Sequence, residues 1–516
     1  MKRRPALFRS SVDRILLEVQ QVMRNKDYHR GMELLERAAR LDPANTNILL
    51  HLGRIYGEHN DYATAERYFE QALRVSSNRT ETLALIGDHC QNFHSLKLAD
   101  KYLALAVQQK DVTPEILAEQ AELCERLRRM EEASELVERA LDLNRNCAPA
   151  LLVAVRLERQ AGRLEAAEKL LVAFPENALP LIRMRACYEL GTVLDRQGRY
   201  DEAMAAFTKA KWIWRPFASG RIKELAAMRT RMNELFEKAT ADVLKQWFDF
   251  SPQLQPHYRL ALLGGHPRSG TTLLEQVLDS HPDMVSAEEF EIFLDDAYGP
   301  LLRSRFNANA KTSNFELLNT STPAELQKSR QAYFDSMELA LGQPIGGRLL
   351  IDKNPSQTFL APALIRIFPE VKFLVALRDP RDVVLSCYMQ NFPNNPTGAA
   401  FLTLESGAAE YASLMGFWQT VASRMSNPHL EVRYEDMVED LESVARKTLD
   451  FLGVAWDPKV LGFDEHARKK AVRSPTYADV TQPVYKRARG RWLNYQKYLE
   501  PHLEKLEPFV KAFGYE

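Results

Sequence analysis

The sequence predicts a multidomain protein: an all-α superhelix of stacked helical repeats, followed by an α/β domain with a central parallel sheet. Three observations carry this reading. Small residues recur every 34 positions in the first part of the chain, as Ala65, Ala99, Ala133 and Ala167, and again as Ala38, Ala72, Ala106 and Ala140. After Tyr258 the texture changes to short apolar runs, LALLGG, RLLIDKNP, VKFLVAL and LEVRYED, separated by segments of helical pattern. The first of these runs leads into GGHPRSGTTLLEQVLDSHP, which reads as strand, glycine-rich turn and helix.

Residues 12–211 hold the repeats. Gly53, Gly87 and Ala121 keep the same period, and one unit reads Leu52-Gly53, Tyr56, Ala65, Phe69, Ala72. A last copy reads Leu190-Gly191, Leu194, Ala203, Phe207, Ala210, its register shifted by two residues near AFPENALP. This pattern resembles the tetratricopeptide repeat, of which about six copies fit. In such a unit two antiparallel helices approach closely where their side chains are small, and the stack curves into a concave face. Residues 212–255 stay helical in pattern and are predicted to form a cap or linker, ended by the two prolines of SPQLQPHYR. Residues 256–516 form the α/β domain.

Composition narrows the function classes. The 516 residues carry a formal net charge of −1, so no global field draws the chain to nucleic acid or membrane and any anion site must be local. Charge interrupts the basic start, MKRRPALFRSSVDRILLEVQQ, before an apolar core can form. It reads as neither signal peptide nor membrane span. The five cysteines form no C-x-x-C and are odd in number. Neither a disulfide framework nor a metal site is expected, and a reducing cytoplasm fits best.

The glycine-rich turn has an unusual composition. Gly265 and Gly270 take the two glycine positions of G-x-x-x-x-G-K-[ST], but Thr271 replaces the lysine, while Thr272 keeps the hydroxyl position. Backbone N–H groups of the loop and of the first helical turn are unpaired within the helix and point at whatever anion docks there. Arg268 brings a permanent charge into the loop. A triphosphate site uses its lysine on the terminal phosphates together with magnesium. This loop instead suits a metal-free oxyanion of lower charge; a well-capped helix start is the structural alternative.

PRSGTTLLEQVLDSHPDMVSAEE closely resembles the 5′-phosphosulfate loop of sulfotransferases that use 3′-phosphoadenosine 5′-phosphosulfate (PAPS). LVALRDPRDVVLSCYMQNF resembles that family's 3′-phosphate motif, and VRYEDMVEDLESVARKTLDFLGV its next segment. SPTYADVTQPVYKRARGRWLNYQKYL resembles the C-terminal loop and helix of repeat-containing members. The resemblance spans roughly residues 260–515 and is nearest to members that join tetratricopeptide repeats to a domain similar to protein-tyrosine sulfotransferases. It implies a P-loop-type sulfotransferase fold.

The resemblance also implies roles. Glu289 would be the catalytic base, with Glu288 its solvated neighbour. Lys353 would neutralise charge on the leaving oxygen, and Arg268 would share that work at the sulfonate. Ser269, Gly270, Thr271 and Thr272 would cradle the donor. Arg378 and Ser386 would hold its 3′-phosphate, and Tyr434 would touch the nucleotide. Arg381 reads as a structural ion-pair partner of Asp379 or Asp382. Ser474 and Thr476 fall near a donor-touching segment. Lys486, Arg487 and Gly490 fall in a basic loop that departs from the family pattern, with Tyr485 at its first arginine and Arg487 at its first glycine. Gln482 stands where the tyrosine enzymes have a lysine. Neither His266 nor His281 occupies the place of a histidine base.

The implied reaction transfers a sulfonate from PAPS to a hydroxyl, without a metal. Protein tyrosine is the first acceptor expected, the repeat arm holding a protein or peptide; a sugar or lipid hydroxyl competes. A homodimer is compatible with the sequence. Two rivals stay open: a repeat scaffold with an inactive sulfotransferase-like domain, and a nucleotide kinase, for which Asp379 is the one tempting magnesium ligand.

Overall fold

The computed structural model describes residues 6–24, 27–305, 312–469, 481 and 488–516. The chain forms two compact units, Met1–Pro175 and Glu176–Glu516.

In the first unit, helices pair in sequence: Ala6–Arg24 with Tyr28–Leu41, Thr46–Glu58 with Tyr62–Val75, Arg79–Asn92 with Leu96–Ala106, Pro114–Arg126 with Met130–Leu143, and Ala148–Gln160 with Leu164–Val172. All eight alanines of the two 34-residue series are buried. The small residues let the helices touch: a Cβ on Gly53 would lie 2.3 Å from the Phe69 ring. Asn45, Asp61, Asn78 and Thr113 begin helices by accepting a backbone N–H in the first turn, each cap contributing about 1 kcal/mol.

The second unit opens with the last repeat pair, Pro180–Arg196 and Tyr200–Lys238. A Cβ on Gly191 would lie 2.6 Å from Phe207, the same close crossing as in the arm. The second helix does not stop at residue 211, where the repeat pattern ends. It runs unbroken for 39 residues, through Pro216. The reason is a continuing apolar stripe: Phe207, Trp214, Ala218 and Leu225 recur at helical spacing and enter one core with the α/β elements. Ala241–Asp249 and a short 3₁₀ turn, Ser251–Gln253, lead to the sheet.

Five strands form the sheet: β1 Leu260–Gly265, β2 Met284–Glu288, β3 Leu349–Lys353, β4 Lys372–Leu377 and β5 His429–Arg433. Their order is β2-β3-β1-β4-β5, and every pairing is parallel. Leu260, Leu262, Leu350, Phe373 and Val375 face one core with Tyr333, Phe368 and Trp418. Ala261, Leu263, Ile351 and Leu374 face another with Leu274, Val277 and Leu278. A parallel sheet covered on both faces needs such continuous apolar runs, and it places functional loops at the carboxyl ends of its strands.

Candidate active site

The loop after β1 is built by three left-handed residues. Gly265 has φ 117°, and a Cβ there would meet the Ala376 carbonyl of β4 at 2.5 Å. Gly270 has φ 93°, and a Cβ there would lie 2.7 Å from the Tyr434 ring. Arg268, at φ 72°, holds the same conformation despite its side chain. The Gly265 N–H donates to Thr358 Oγ1 at 2.9 Å, and the Thr358 hydroxyl donates back to the Gly265 carbonyl. The chain therefore turns sharply into the helix Thr271–Asp279, with Ser269, Thr271 and Thr272 buried at its start. Amides of that first turn lack intrahelical acceptors.

His266 is entirely buried against Phe401 and Tyr411, and burial pulls its pKa down to about 4. The neutral ring donates from Nδ1 to the Pro267 carbonyl at 2.8 Å. His281 Nε2 lies 2.9 Å from the Ala455 carbonyl and its Nδ1 accepts from the Asp283 amide. Both histidines brace backbone.

On the β4 side, the Arg268 Nε donates to Ser386 Oγ at 3.0 Å. Arg378 follows β4 and donates to the carbonyls of Arg268 and Ala488. Its guanidinium lies 5.0 Å over the Tyr434 ring, and its buried Nε has no hydrogen-bond partner among the described residues. Ser386 rides on the helix Pro380–Met389. The same helix carries Asp382, whose oxygens accept the Gly490 and Trp492 amides, each at 2.8 Å. Asp382 also lies 3.8 Å from Arg378. Gly490 turns at φ 67°. Arg381 selects Asp379 as its partner, by a two-pronged pair at 2.9 and 2.7 Å, and covers the Trp492 ring. Asp379, the carboxylate that a kinase would need, is thus engaged in an ion pair.

On the β2 and β3 side, Lys353 ends β3 in register with Leu263 of β1 and Glu288 of β2. Its ammonium donates to Glu289 Oε1 at 2.7 Å and lies 3.5 Å from Glu275 Oε2. Lys353 and Glu275 are fully buried, whereas the Glu289 side chain is 45% exposed. Burial acts to strip the Lys353 charge, but Glu275, Glu289 and Glu288 outweigh it and hold the pKa above the usual lysine range. Ser286 donates to Glu275 at 2.8 Å.

Glu289 leaves β2 at a left-handed φ of 52°, its amide bonded to the Lys353 carbonyl at 2.8 Å. The next carbonyl, Phe290, accepts from Asn354 and Gln357. The two neighbouring glutamates therefore part. Glu288, read from sequence as solvated, is buried against Gln276 because it still belongs to the strand. Glu289 meets both Lys353 and solvent. Glu275, and the hold of Asp382 on the Gly490 turn, escaped the sequence reading. Glu275 lies four residues after Thr271 and three before Leu278, so helical spacing alone puts it on a buried stripe.

The structure thus gathers Arg268, Ser269, Gly270, Thr271, Thr272, Arg378, Ser386, Tyr434 and Gly490 around the β1 and β4 ends, and joins Lys353 to Glu289 at β3 and β2. Ser474, Thr476, Lys486 and Arg487 lie outside the described residues. Among the described residues no group of three or more His, Cys, Asp or Glu could hold a metal ion, and no helix is long and apolar enough to cross a membrane.

Residues 261–458 match the family model described as "Sulfotransferase family", and residues 22–86 and 185–211 match models of the tetratricopeptide repeat. An "Uncharacterized protein" of Aquifex aeolicus (strain VF5) is 25% identical over 389 residues, covering 74% of this chain and 49% of its own length. "Protein-tyrosine sulfotransferase A" of Caenorhabditis elegans is 26% identical over 259 residues, covering 49% of this chain and 66% of its own. "Protein-tyrosine sulfotransferase" of Drosophila melanogaster is 27% identical over 273 residues, covering 50% and 52%. The chain therefore spans between about half and two thirds of the length of these curated relatives. Among solved structures, the "Sulfotransferase Domain from the Synechococcus PCC 7002 Olefin Synthase" aligns at 23% identity and a TM-score of 0.34, over 50% of this chain and 97% of that one.

Proposed function

For a chain that joins tetratricopeptide repeats to a domain of the sulfotransferase family, we propose a PAPS-dependent sulfotransferase acting on a hydroxyl of a protein acceptor, with tyrosine as the residue modified. One observation carries the reading. The strand order sets the lysine-free loop of β1 between two unlike neighbours, the Lys353–Glu289 ion pair on one side and, on the other, Arg378 and Ser386, each bonded to Arg268.

The residues fit the donor. The buried Arg378 Nε has no hydrogen-bond partner among the described residues, which favours an added anion over the free state. The cradle glycines leave no room for a Cβ. In the reaction the acceptor oxygen bonds to sulfur as the bond from sulfur to the phosphate oxygen breaks. The donor supplies the sulfonate and leaves as 3′,5′-bisphosphoadenosine. The hydroxyl proton passes to Glu289, which is exposed enough to meet an acceptor. Lys353 offers positive charge between the base and the loop, and a fixed charge aimed at developing negative charge is the strongest catalytic device available to such a site. Once Glu289 is protonated, Glu275 still balances Lys353.

Relatives named protein-tyrosine sulfotransferases support the tyrosine acceptor, and a repeat arm suits a polypeptide. Five free thiols support a reducing, cytoplasmic setting. The test is incubation with sulfur-labelled PAPS and, separately, a tyrosine-bearing polypeptide extract, oligosaccharides and lipids. Label on tyrosine is expected. Label confined to sugar or lipid overturns the acceptor, and absence of both PAPS binding and transfer overturns the enzyme.

A further inference from the structure

The last repeat pair does more than continue the repeats. Asp195, on the helix Pro180–Arg196, binds Arg491 through both carboxylate oxygens, at 2.7 and 3.3 Å. It also accepts the buried Tyr495 hydroxyl at 2.7 Å. Arg491 follows Gly490 directly. The turn at Ala488–Gly490 is therefore pinned from two directions, by Asp195 of the repeat pair and by Asp382 of the Ser386 helix. That turn in turn fixes Arg378, which donates to the Ala488 carbonyl.

The neighbouring helix grips the other half of the clamp. Thr208 Oγ1 lies 2.9 Å from the Tyr388 hydroxyl, two residues beyond Ser386. Lys211 is buried among the Tyr188, Trp214 and Tyr388 rings and reaches the Gln390 carbonyl at 3.5 Å. Both the arginine and the serine of the Arg378–Ser386 pair are thus braced by helices whose sequence belongs to the repeats.

We propose that the last repeat pair is a working part of the donor site, with Asp195 as a positioning residue that acts through the Gly490 turn on Arg378. This rests on the donor reading above. Asp195 needs no contact with the nucleotide. Its carboxylate holds Arg491 and Tyr495, so that the Ala488 carbonyl stays where it orients the Arg378 guanidinium. A group that only held the domain together would affect all ligands alike. One that sets Arg378 should act on ligands carrying a 3′-phosphate.

The test uses the full chain and two probes, 3′,5′-bisphosphoadenosine and 5′-AMP, measured by calorimetry or competition. Asp195→Ala should weaken the bisphosphate by about tenfold, the scale of one charge-assisted contact, and leave 5′-AMP unchanged. Donor KM should rise while kcat and acceptor KM hold. Asp195→Asn, which retains an acceptor for Tyr495 but not the ion pair, guards against a folding defect and should weaken the bisphosphate about threefold. Asp201→Ala removes an exposed pair with Lys497 between the same two regions and should leave bisphosphate binding unaltered. Equal weakening of both probes, or an unchanged bisphosphate affinity in folded Asp195→Ala, overturns the inference while the donor reading stands. If the unaltered chain binds neither probe, the donor reading itself falls, and the inference with it.

Discussion

Glu275→Gln isolates the charge that keeps Lys353 in place. Glutamine retains the side-chain volume and an acceptor for Ser286, and removes one of the two carboxylates at the ammonium. Two unit charges 3.5 Å apart attract by about 5 kcal/mol at an effective dielectric of about 20. Glu289, closer but partly exposed, recovers some of this. A net loss of about 2–4 kcal/mol is expected, close to that for breaking a buried pair. Urea unfolding followed by circular dichroism measures it.

The pH dependence fixes the cause. The folded pKa of Lys353 lies above the ordinary 10.5. Its contribution is therefore complete below that value and lost as pH rises through the folded pKa. The deficit of Glu275→Gln should be full at pH 7 and shrink in alkali. The single-turnover rate should fall too, because Glu289, the proposed base, is then the one carboxylate among the described residues within 4 Å of the ammonium. A variant as stable as its parent at pH 7, or a deficit constant with pH, would refute this account of Lys353.

Glu289→Gln should keep the fold and donor affinity but lose about 10²–10⁴ in single-turnover rate, with Glu288→Gln milder; the reverse ranking would move the base to Glu288. Arg378→Ala should weaken 3′,5′-bisphosphoadenosine by about 1.5–3 kcal/mol in calorimetry, and Ser386→Ala by less. Asp352, buried beside Tyr333, has its pKa pushed by burial from 3.8 to about 7, so the folded state binds an extra proton between those values and loses stability as pH rises through them. Asp352→Asn should flatten that fall in urea titrations across pH 4–7. A chain beginning at Glu176 should bind the bisphosphate normally but show a raised KM for a macromolecular acceptor. One beginning at Ser251 should fail to fold by circular dichroism, because it loses Trp214, Leu225 and Leu235 from the core.

The repeats and the glycine-rich loop after β1 were legible because local rules govern them. A fixed period needs small residues at helix crossings, and Gly265 and Gly270 mark the places where another backbone or ring comes within Cβ distance. Four of the five strands were apparent as apolar runs. β2 was not, since MVSAE buries Ser286 and Glu288, and a strand whose polar groups are satisfied by a neighbouring helix carries no apolar signature. The turn-binding roles of Asp382 and Asp195 were hidden for a different reason. Each binds a turn more than a hundred residues away, and only the fold brings them together. The repeat pattern ends at residue 211, but the helix and its buried stripe continue past it, a continuity that the 34-residue period does not report.

The left-handed backbones at Arg268 and Glu289 bear on how this protein ages under selection. Each conformation disfavours a side chain with a Cβ by roughly 1 kcal/mol or more, and glycine or asparagine would relieve it. A screen for heat resistance alone would thus favour losing the two groups to which the proposed transfer assigns its work, a conflict between robustness and chemistry confined to two codons. In a duplicated gene released from its reaction, those codons should be among the first to relax. Retention of a bulky charged residue at both positions then becomes a practical mark for separating working copies of this chain from silent ones.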